Sequence, residues 1–283
     1  MTIAQFRKRF KERLFQVYPE GEIRSFEKYA FEKYGGLGLP ELVIRANEEL
    51  DETLINELTT VLERLERQEP IQYILGETAF YGLPFKVTTD TLIPRPETEE
   101  LVDWIVRDHQ SASGLSVLDI GTGSGCIAIA LATHLHQAQV TAFDISNKAL
   151  KVARENAKYN KVSVHFEQVN ILTTTKEGEQ WDRIVSNPPY VRMLEKDQMK
   201  PNVLNYEPHQ ALFVDDDDAL LFYRKIGQFA LKNLKKGGRL YFEINQYLGD
   251  ATVQLMEDLG FVEVVLQQDI FGNDRMLKGV KGL

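Results

Sequence analysis

The sequence predicts an α/β fold: a doubly wound, mostly parallel sheet, preceded by a helical bundle and joined to it by a β-hairpin. Three observations predict it. From Ser116 onward, short β-branched apolar runs alternate with amphipathic stretches of roughly ten to fifteen residues, the pattern of a parallel sheet covered by helices. The first run leads into Gly121-Thr122-Gly123-Ser124-Gly125, a turn whose glycines let the backbone approach a ligand closely. The first 70 residues, by contrast, carry helical periodicity alone. Three segments follow: a bundle over 1–70, a linker containing the hairpin over 71–96, and the sheet domain over 97–283.

In the bundle, Ile3, Phe6, Phe10, Leu14 and Val17 recur at three- and four-residue intervals and form one apolar stripe. Pro19-Glu20-Gly21 is read as a break, Ser25 to Tyr34 as a second helix ended by Gly35-Gly36, and a short helix follows Pro40. A longer helix is predicted from about Asp51 to Glu69, with Leu54, Leu58, Val61, Leu62 and Leu65 facing inward. This bundle holds no catalytic constellation, so gripping a partner or covering the site is its expected role. Glu77 to Val87 holds two β-like runs around Tyr81-Gly82-Leu83-Pro84. Pro94 and Pro96 keep the next segment extended, and Pro96 suits the first position of a helix to Asp108. Arg95 between them is either a surface residue of a rigid linker or a guanidinium held ready for an anion or carbonyl.

Strands are then predicted at Val117–Ile120, Val140–Phe143, Val162–Val169, Arg183–Ser186, Arg239–Ile244, Phe261–Leu266 and Arg275–Val280. Helices are predicted at Cys126–Leu135, Asn147–Tyr159, Asp218–Leu234 and Gln246–Leu259.

A length of 283 residues suits two domains, and 43% hydrophobic with 27% charged residues is ordinary for a globular chain. The net charge of −9 argues against binding through a nucleic-acid backbone, which needs Lys and Arg to neutralise phosphates. One cysteine, Cys126, forms no internal disulfide and suits a reducing compartment. No segment approaches the roughly 18 apolar residues needed to cross a membrane. A cytoplasmic location is expected.

The chemistry gathers at Asn187-Pro188-Pro189-Tyr190, directly after the apolar run Asp182 to Ser186. Two prolines cannot continue a strand, so the chain turns stiffly at its carboxyl end, where open α/β sheets bind ligands. Asn187 both donates and accepts, the prolines offer carbonyls without donors, and Tyr190 offers an aromatic face. Together they suit a planar –NH2 group. An Asx-Pro turn alone would give the same first dipeptide; the full tetrad downstream of a glycine loop favours a pocket. Asp144, ending the second strand, sits where a carboxylate can hold ribose hydroxyls. Asp119 can contact a cofactor's amino group or hold the loop.

The sequence resembles the HemK/PrmC family. Pro70 to Gly76, Leu92-Ile93-Pro94-Arg95-Pro96-Glu97-Thr98, Asp119 to Gly125, Ser186 to Tyr190 and Tyr206-Glu207-Pro208-His209-Gln210-Ala211-Leu212 carry the likeness, over about Phe6 to Lys278. The resemblance implies a Rossmann-like, class I S-adenosylmethionine-dependent methyltransferase sheet behind a helical, partner-binding domain. It implies transfer of a methyl group to the glutamine N5 of the Gly-Gly-Gln motif in class 1 peptide-chain release factors, by a monomer, with no metal. It implies cofactor contacts at Asp119, Gly121, Thr122, Gly123, Ser124, Gly125, Asp144, Asn170, Ile171, Leu172 and Asn187. Catalytic roles fall on Asn187, Pro188 and Tyr190, with Pro189, Arg95 and Glu97 joining them in binding substrate. Asn170-Ile171 replace the family's usual acid and aromatic, and Asp215 to Asp218 stand where it usually has glycines and one acid.

A ribosomal-protein glutamine, or adenine N6 in a nucleic acid, are the alternative substrates; adenine-N6 DNA methyltransferases also carry the tetrad. The acidic run is expected to cap the following helix. A metal there is the weaker reading, because consecutive aspartates point different ways. Cys126 reads as a core residue, His134 and His136 face different sides of their helix, and His209 is expected to be structural.

Overall fold

The computed structural model describes residues 1–109 and 112–282. The chain divides into two compact units, 1–76 with 200–206, and 77–199 with 207–283.

The first unit is helical. Helix α1 (Ile3–Leu14) starts with a reciprocal cap between Thr2 and Gln5 and buries Ile3, Phe6, Phe10 and Leu14. It ends there, so Val17 falls off the stripe and is exposed. Helix α2 (Glu20–Gly35) begins immediately after Pro19, so Pro19-Glu20-Gly21 starts this helix instead of separating two. A proline just outside a helix costs nothing, because the first turn has no acceptor for its missing N–H. Gly36, at φ +61°, closes α2 in the left-handed conformation. After α3 (Leu39–Ile44), α4 (Glu52–Glu66) is capped by Asp51 Oδ1, which accepts from the Leu54 amide at 2.8 Å. The five predicted inner residues of α4 are all buried. Helix α5 (Ile71–Leu75), lying between Pro70 and Gly76, is too short to show a period in the sequence.

In the second unit, β1 (Glu77–Phe80) and β2 (Leu83–Lys86) form the expected hairpin. Its two turn residues, Tyr81 and Gly82, both have positive φ, as a two-residue type I′ turn requires. Then follow α6 (Pro96–Asp108), β3 (Ser116–Ile120), α7 (Cys126–His134), β4 (Gln139–Asp144), α8 (Asn147–Tyr159), β5 (Val164–Gln168) and β6 (Trp181–Ser186). Short β7 (Val191–Arg192) pairs in parallel with β8 (Phe213–Val214); between them lie α9 (Pro201–Tyr206), which belongs to the helical unit, and α10 (His209–Leu212). Helix α11 (Leu221–Asn233), β9 (Leu234–Glu243), α12 (Gly249–Leu259), β10 (Phe261–Gln268) and β11 (Asp274–Lys281) complete it. Among the described residues, seven strands form one sheet in the order β10-β11-β9-β6-β3-β4-β5. Its members from β9 to β5 run parallel, while β11 is antiparallel to both neighbours.

Strand β9 starts five residues before the predicted Arg239, and α11 begins after the aspartate run. That run forms a single 3-10 turn, with no side-chain cap from Asp215. Asp218 instead pairs with Arg224 and Asp216 accepts from the Leu194 amide, so neither the capping role nor a metal role is realised; no metal-ligand cluster occurs among the described residues.

Alternate residues of the central strands enter opposite cores. Val117 and Tyr241 pack with α6 and α7, whereas Leu118, Leu240 and Phe242 pack with α11 and α12. The chain leaves β3 first toward β4 and later returns to β6 on its other side. The crevice above the carboxyl ends of these three strands is therefore the topological switch point.

Candidate active site

The ends of β3 and β6 are hydrogen-bonded neighbours: Ile120 is paired with Ser186, whose hydroxyl donates to the Ile120 carbonyl at 2.6 Å. This register puts the glycine turn after β3 against the tetrad after β6. A Cβ on Gly121 would lie 4.0 Å from the Asn187 carbonyl oxygen. Gly121, Gly123 and Gly125 have φ of +79°, +55° and +84°, a conformation L side chains rarely adopt, so the turn depends on glycine at each.

Asp144, ending β4, ties the turn down. Its Oδ2 accepts from the Gly123 amide and its Oδ1 from the Ser146 amide, both at 2.8 Å. Burial pushes its carboxyl above the usual value, against these amide bonds. Asp119 lies beneath the turn, fully buried. Its Oδ2 accepts from the Thr122 hydroxyl at 2.6 Å, Oδ1 has no partner within hydrogen-bond geometry among the described residues, and burial pushes the carboxyl up to about 7. Ser124 is also buried and its carbonyl accepts from Asn156. Gly125 fits against Ala153 and Ile129. Asp119, Thr122, Ser124 and Gly125 thus build the turn from below, while Gly121 and Gly123 line the cavity above it.

That cavity has a volume of about 400 Å³. Its lining includes Gly123, Asp144, Asn170, Ile171, Leu172 and Asn187. A smaller cavity of about 50 Å³ adjoins it, lined by Asn187, Pro188 and Tyr190 together with Leu92 and Arg95. The two cavities share four lining residues, Leu92, Asn187, Pro188 and Ala211. Glu97, in the first turn of α6, lines neither.

Arg95 is held. Its Nη2 donates to Glu207 Oε1 at 2.5 Å, and Glu207 Oε2 accepts from the Ile93 amide. The guanidinium is half-buried on the smaller cavity while its carboxylate partner is fully buried.

Two side chains bonded to the tetrad escape the sequence reading. Thr98, on the first turn of α6, accepts from Asn187 Nδ2 at 3.2 Å and donates to Glu243 Oε2 at 2.5 Å. Glu243, ending β9, also accepts from the Tyr190 hydroxyl at 2.9 Å. Burial pushes the Glu243 carboxyl and the Tyr190 phenol above their usual values. Asn245 Nδ2 donates to the Tyr190 carbonyl at 2.9 Å and steadies the tetrad from the other side. The available signal is an acid inside the apolar run Leu240-Tyr241-Phe242-Glu243-Ile244, since a carboxylate is kept in a core only with partners.

His209 packs its ring on Phe213 and lies in sequence between Pro208 and Gln210, both of which line the larger cavity. Burial pushes the Cys126 thiol up to about 12, as for a core residue, and His134 packs its ring on Tyr81. No helix among the described residues is long and apolar enough to cross a membrane.

Comparison with known proteins agrees with this geometry. Residues 100–210 match the methyltransferase small domain, and residues 5–76 the PrmC N-terminal domain. The chain is 52% identical to a release factor glutamine methyltransferase of Flavobacterium psychrophilum, over 98% of this chain and 99% of that protein. It is 42% identical to one of Bacteroides thetaiotaomicron, over 94% and 96%. The fold is similar to that of a methyltransferase from Pyrococcus furiosus, with a TM-score of 0.53 and 21% identity, over 72% of this chain and 92% of that one.

Proposed function

The chain belongs to the release factor glutamine methyltransferase family, and from that premise we propose that it methylates the side-chain nitrogen N5 of the glutamine in the Gly-Gly-Gln motif of class 1 peptide-chain release factors, using S-adenosylmethionine. The observation that carries this reading is the meeting of two cavities along a shared wall that includes Asn187 and Pro188 of the tetrad. The larger suits the cofactor: its volume lies within the range of about 300–1,000 Å³ usual for small-molecule sites. It combines a glycine turn, a carboxylate at the end of β4 and apolar walls. Gly121 and Gly123 would face the methionine part, Asp144 the ribose, and Asn170, Ile171 and Leu172 the adenine. When bound, S-adenosylmethionine supplies the electrophilic methyl group.

The chain's own residues supply orientation and charge stabilisation. A carboxamide nitrogen is a poor nucleophile because its lone pair is delocalised into the carbonyl. Asn187 Oδ1 and the Pro188 carbonyl would accept its two hydrogens, aim the nitrogen at the larger cavity and stabilise the positive charge that grows on it during attack. Pro189 stiffens the turn, and Tyr190, its hydroxyl already engaged by Glu243, offers its ring to the amide plane. Arg95 on its carboxylate mount suits a backbone carbonyl of the substrate loop. No base is needed before transfer, since a protonated N-methyl amide is strongly acidic and loses its proton afterwards.

One chain supplies both cavities, which supports a monomeric enzyme. A cytoplasmic location is proposed along with that substrate. Residues 1–70 are proposed to hold the release factor, 71–96 to link, and 97–283 to carry the catalysis.

The decisive experiment is mass spectrometry of a release factor incubated with the protein and S-adenosylmethionine. One added methyl on the Gly-Gly-Gln glutamine is expected; its absence, with cofactor still bound, would redirect the search to ribosomal proteins. Asn187→Ala should lower kcat by about 100- to 1,000-fold while the melting curve stays in place. Retained turnover would remove Asn187 from the mechanism.

A further inference from the structure

We propose that Thr98 and Glu243 are positioning residues that determine which end of the Asn187 carboxamide faces the substrate. The proposal rests on the reading of Asn187 Oδ1 as the acceptor of the substrate amide. The oxygen and nitrogen ends of a carboxamide are almost the same size, so packing does not choose between its two orientations; hydrogen-bond polarity does. The wrong orientation would aim an N–H at the N–H bonds of the incoming glutamine.

The polarity is set from the buried end of the network. An ionised Glu243 has no hydrogen to give, and both its oxygens are engaged, Oε1 by the Tyr190 hydroxyl and Oε2 by the Thr98 hydroxyl. Burial raises the Glu243 carboxyl; against it, the hydrogen bonds from Thr98 and Tyr190 and the nearby charge of Arg275, anchored on Asp269 and the Ile244 carbonyl, favour the ionised form on which this polarity depends. The Thr98 hydroxyl has one hydrogen, and Glu243 takes it. Its oxygen therefore presents only lone pairs to Asn187, 3.2 Å away. An amide oxygen placed there would meet another acceptor, whereas the amide nitrogen forms a bond. Nδ2 is drawn to Thr98, and Oδ1 is left for the ligand.

Topology makes the arrangement rigid. Thr98 is buried on α6, and Glu243 directly follows Phe242, which pairs with Ser186 next to Asn187. Three chain segments, far apart in sequence, fix one torsion. Glu243 binds Tyr190 at the same time, so a single carboxylate sets both side chains of the amide slot. Neither Thr98 nor Glu243 lines either of the two cavities described above, which separates their role from substrate contact there.

The test is a set of substitutions assayed for glutamine methylation, cofactor affinity by calorimetry, and melting temperature. Thr98→Val keeps the shape and removes the hydroxyl. Nδ2 would then be buried without a partner unless the amide turns over, so kcat/KM should fall about 10- to 100-fold with S-adenosylmethionine affinity unchanged. Thr98→Ser restores the hydroxyl and should recover most of the loss. Glu243→Gln can donate to Thr98 and so reverse the polarity; it should also impair turnover, and the double variant with Thr98→Val should be no worse than the poorer single one. Equal activity of the Val and Ser variants would overturn the proposal, as would a parallel loss of cofactor affinity or additive effects in the double variant. If the unaltered protein leaves the release factor unmethylated, the functional reading itself fails, an outcome distinct from all of these.

Discussion

Asp119 joins the turn to the acid-base behaviour of the whole unit. Its carboxyl is raised by burial from 3.8 to about 7, while in the unfolded chain it ionises at its ordinary value. Between those two values the folded state holds a proton that the unfolded state has lost, so protonation stabilises the fold. This contribution is complete below about pH 4 and disappears as the pH rises through about 7. The melting temperature of the protein, compared with that of Asp119→Asn, should therefore decline between pH 5 and pH 8; a flat difference would mean that the carboxyl is ionised throughout. At this scale the sequence shows the residues proposed to touch ligand more readily than those behind them. Asn187 and Asp144 announce themselves by following apolar runs at strand ends. Thr98 is quoted within a motif without a role, and Glu243 is hidden in a strand, because a buried hydrogen bond across 145 positions leaves no local pattern.

The glycine turn is where local conformation and packing meet. Gly125 has φ +84°, and a Cβ there would stand 3.1 Å from both the Ala153 Cβ and the Ile129 Cδ1. Gly123 has φ +55° and open space around the same position. Gly125→Ala should cost about 1–3 kcal/mol in urea denaturation, more than Gly123→Ala, since strain and crowding add only at the first. Comparable losses for the two would show that crowding against α8 contributes nothing. The strands and long helices of both units are legible because their periods persist for several residues. Elements of fewer than two turns carry no countable period: α5, α9, α10 and the β7–β8 pair go unread, and α3, as short as α9, is marked by Pro40 alone. The start of α2 is misread for another reason, since Pro19 serves equally to end one helix and to precede the next.

At the scale of the molecule, the helical unit has its own core, from Ile3 to Ile74, separate from the two cores that flank the sheet. Leu62→Ala in α4, at a site with no solvent exposure, should destabilise that unit by about 2–5 kcal/mol. Hydrogen exchange resolved by segment would test this, with faster exchange expected in α1, α2 and α4 and none of the change in β3. The alternation of strands and helices is enough to predict the sheet, but not that β11 lies between β9 and β10, which depends on pairings made across the chain. Nor does the sequence show that residues 200–206 leave the sheet unit's run to join the helical one.

That last feature orders events on the ribosome. Every residue of the helical core has been made by the time Gly76 is joined to the chain, so this core can close early. Its remaining piece, where the Tyr206 hydroxyl reaches the Arg67 carbonyl and Lys200 pairs with Glu22, is separated from Gly76 by the residues 77–199. At about 5–20 residues per second, that interval lasts on the order of ten seconds. For that time the nascent helical unit stands folded with one patch of surface bare, and α9 arrives as a late clasp on a body already formed.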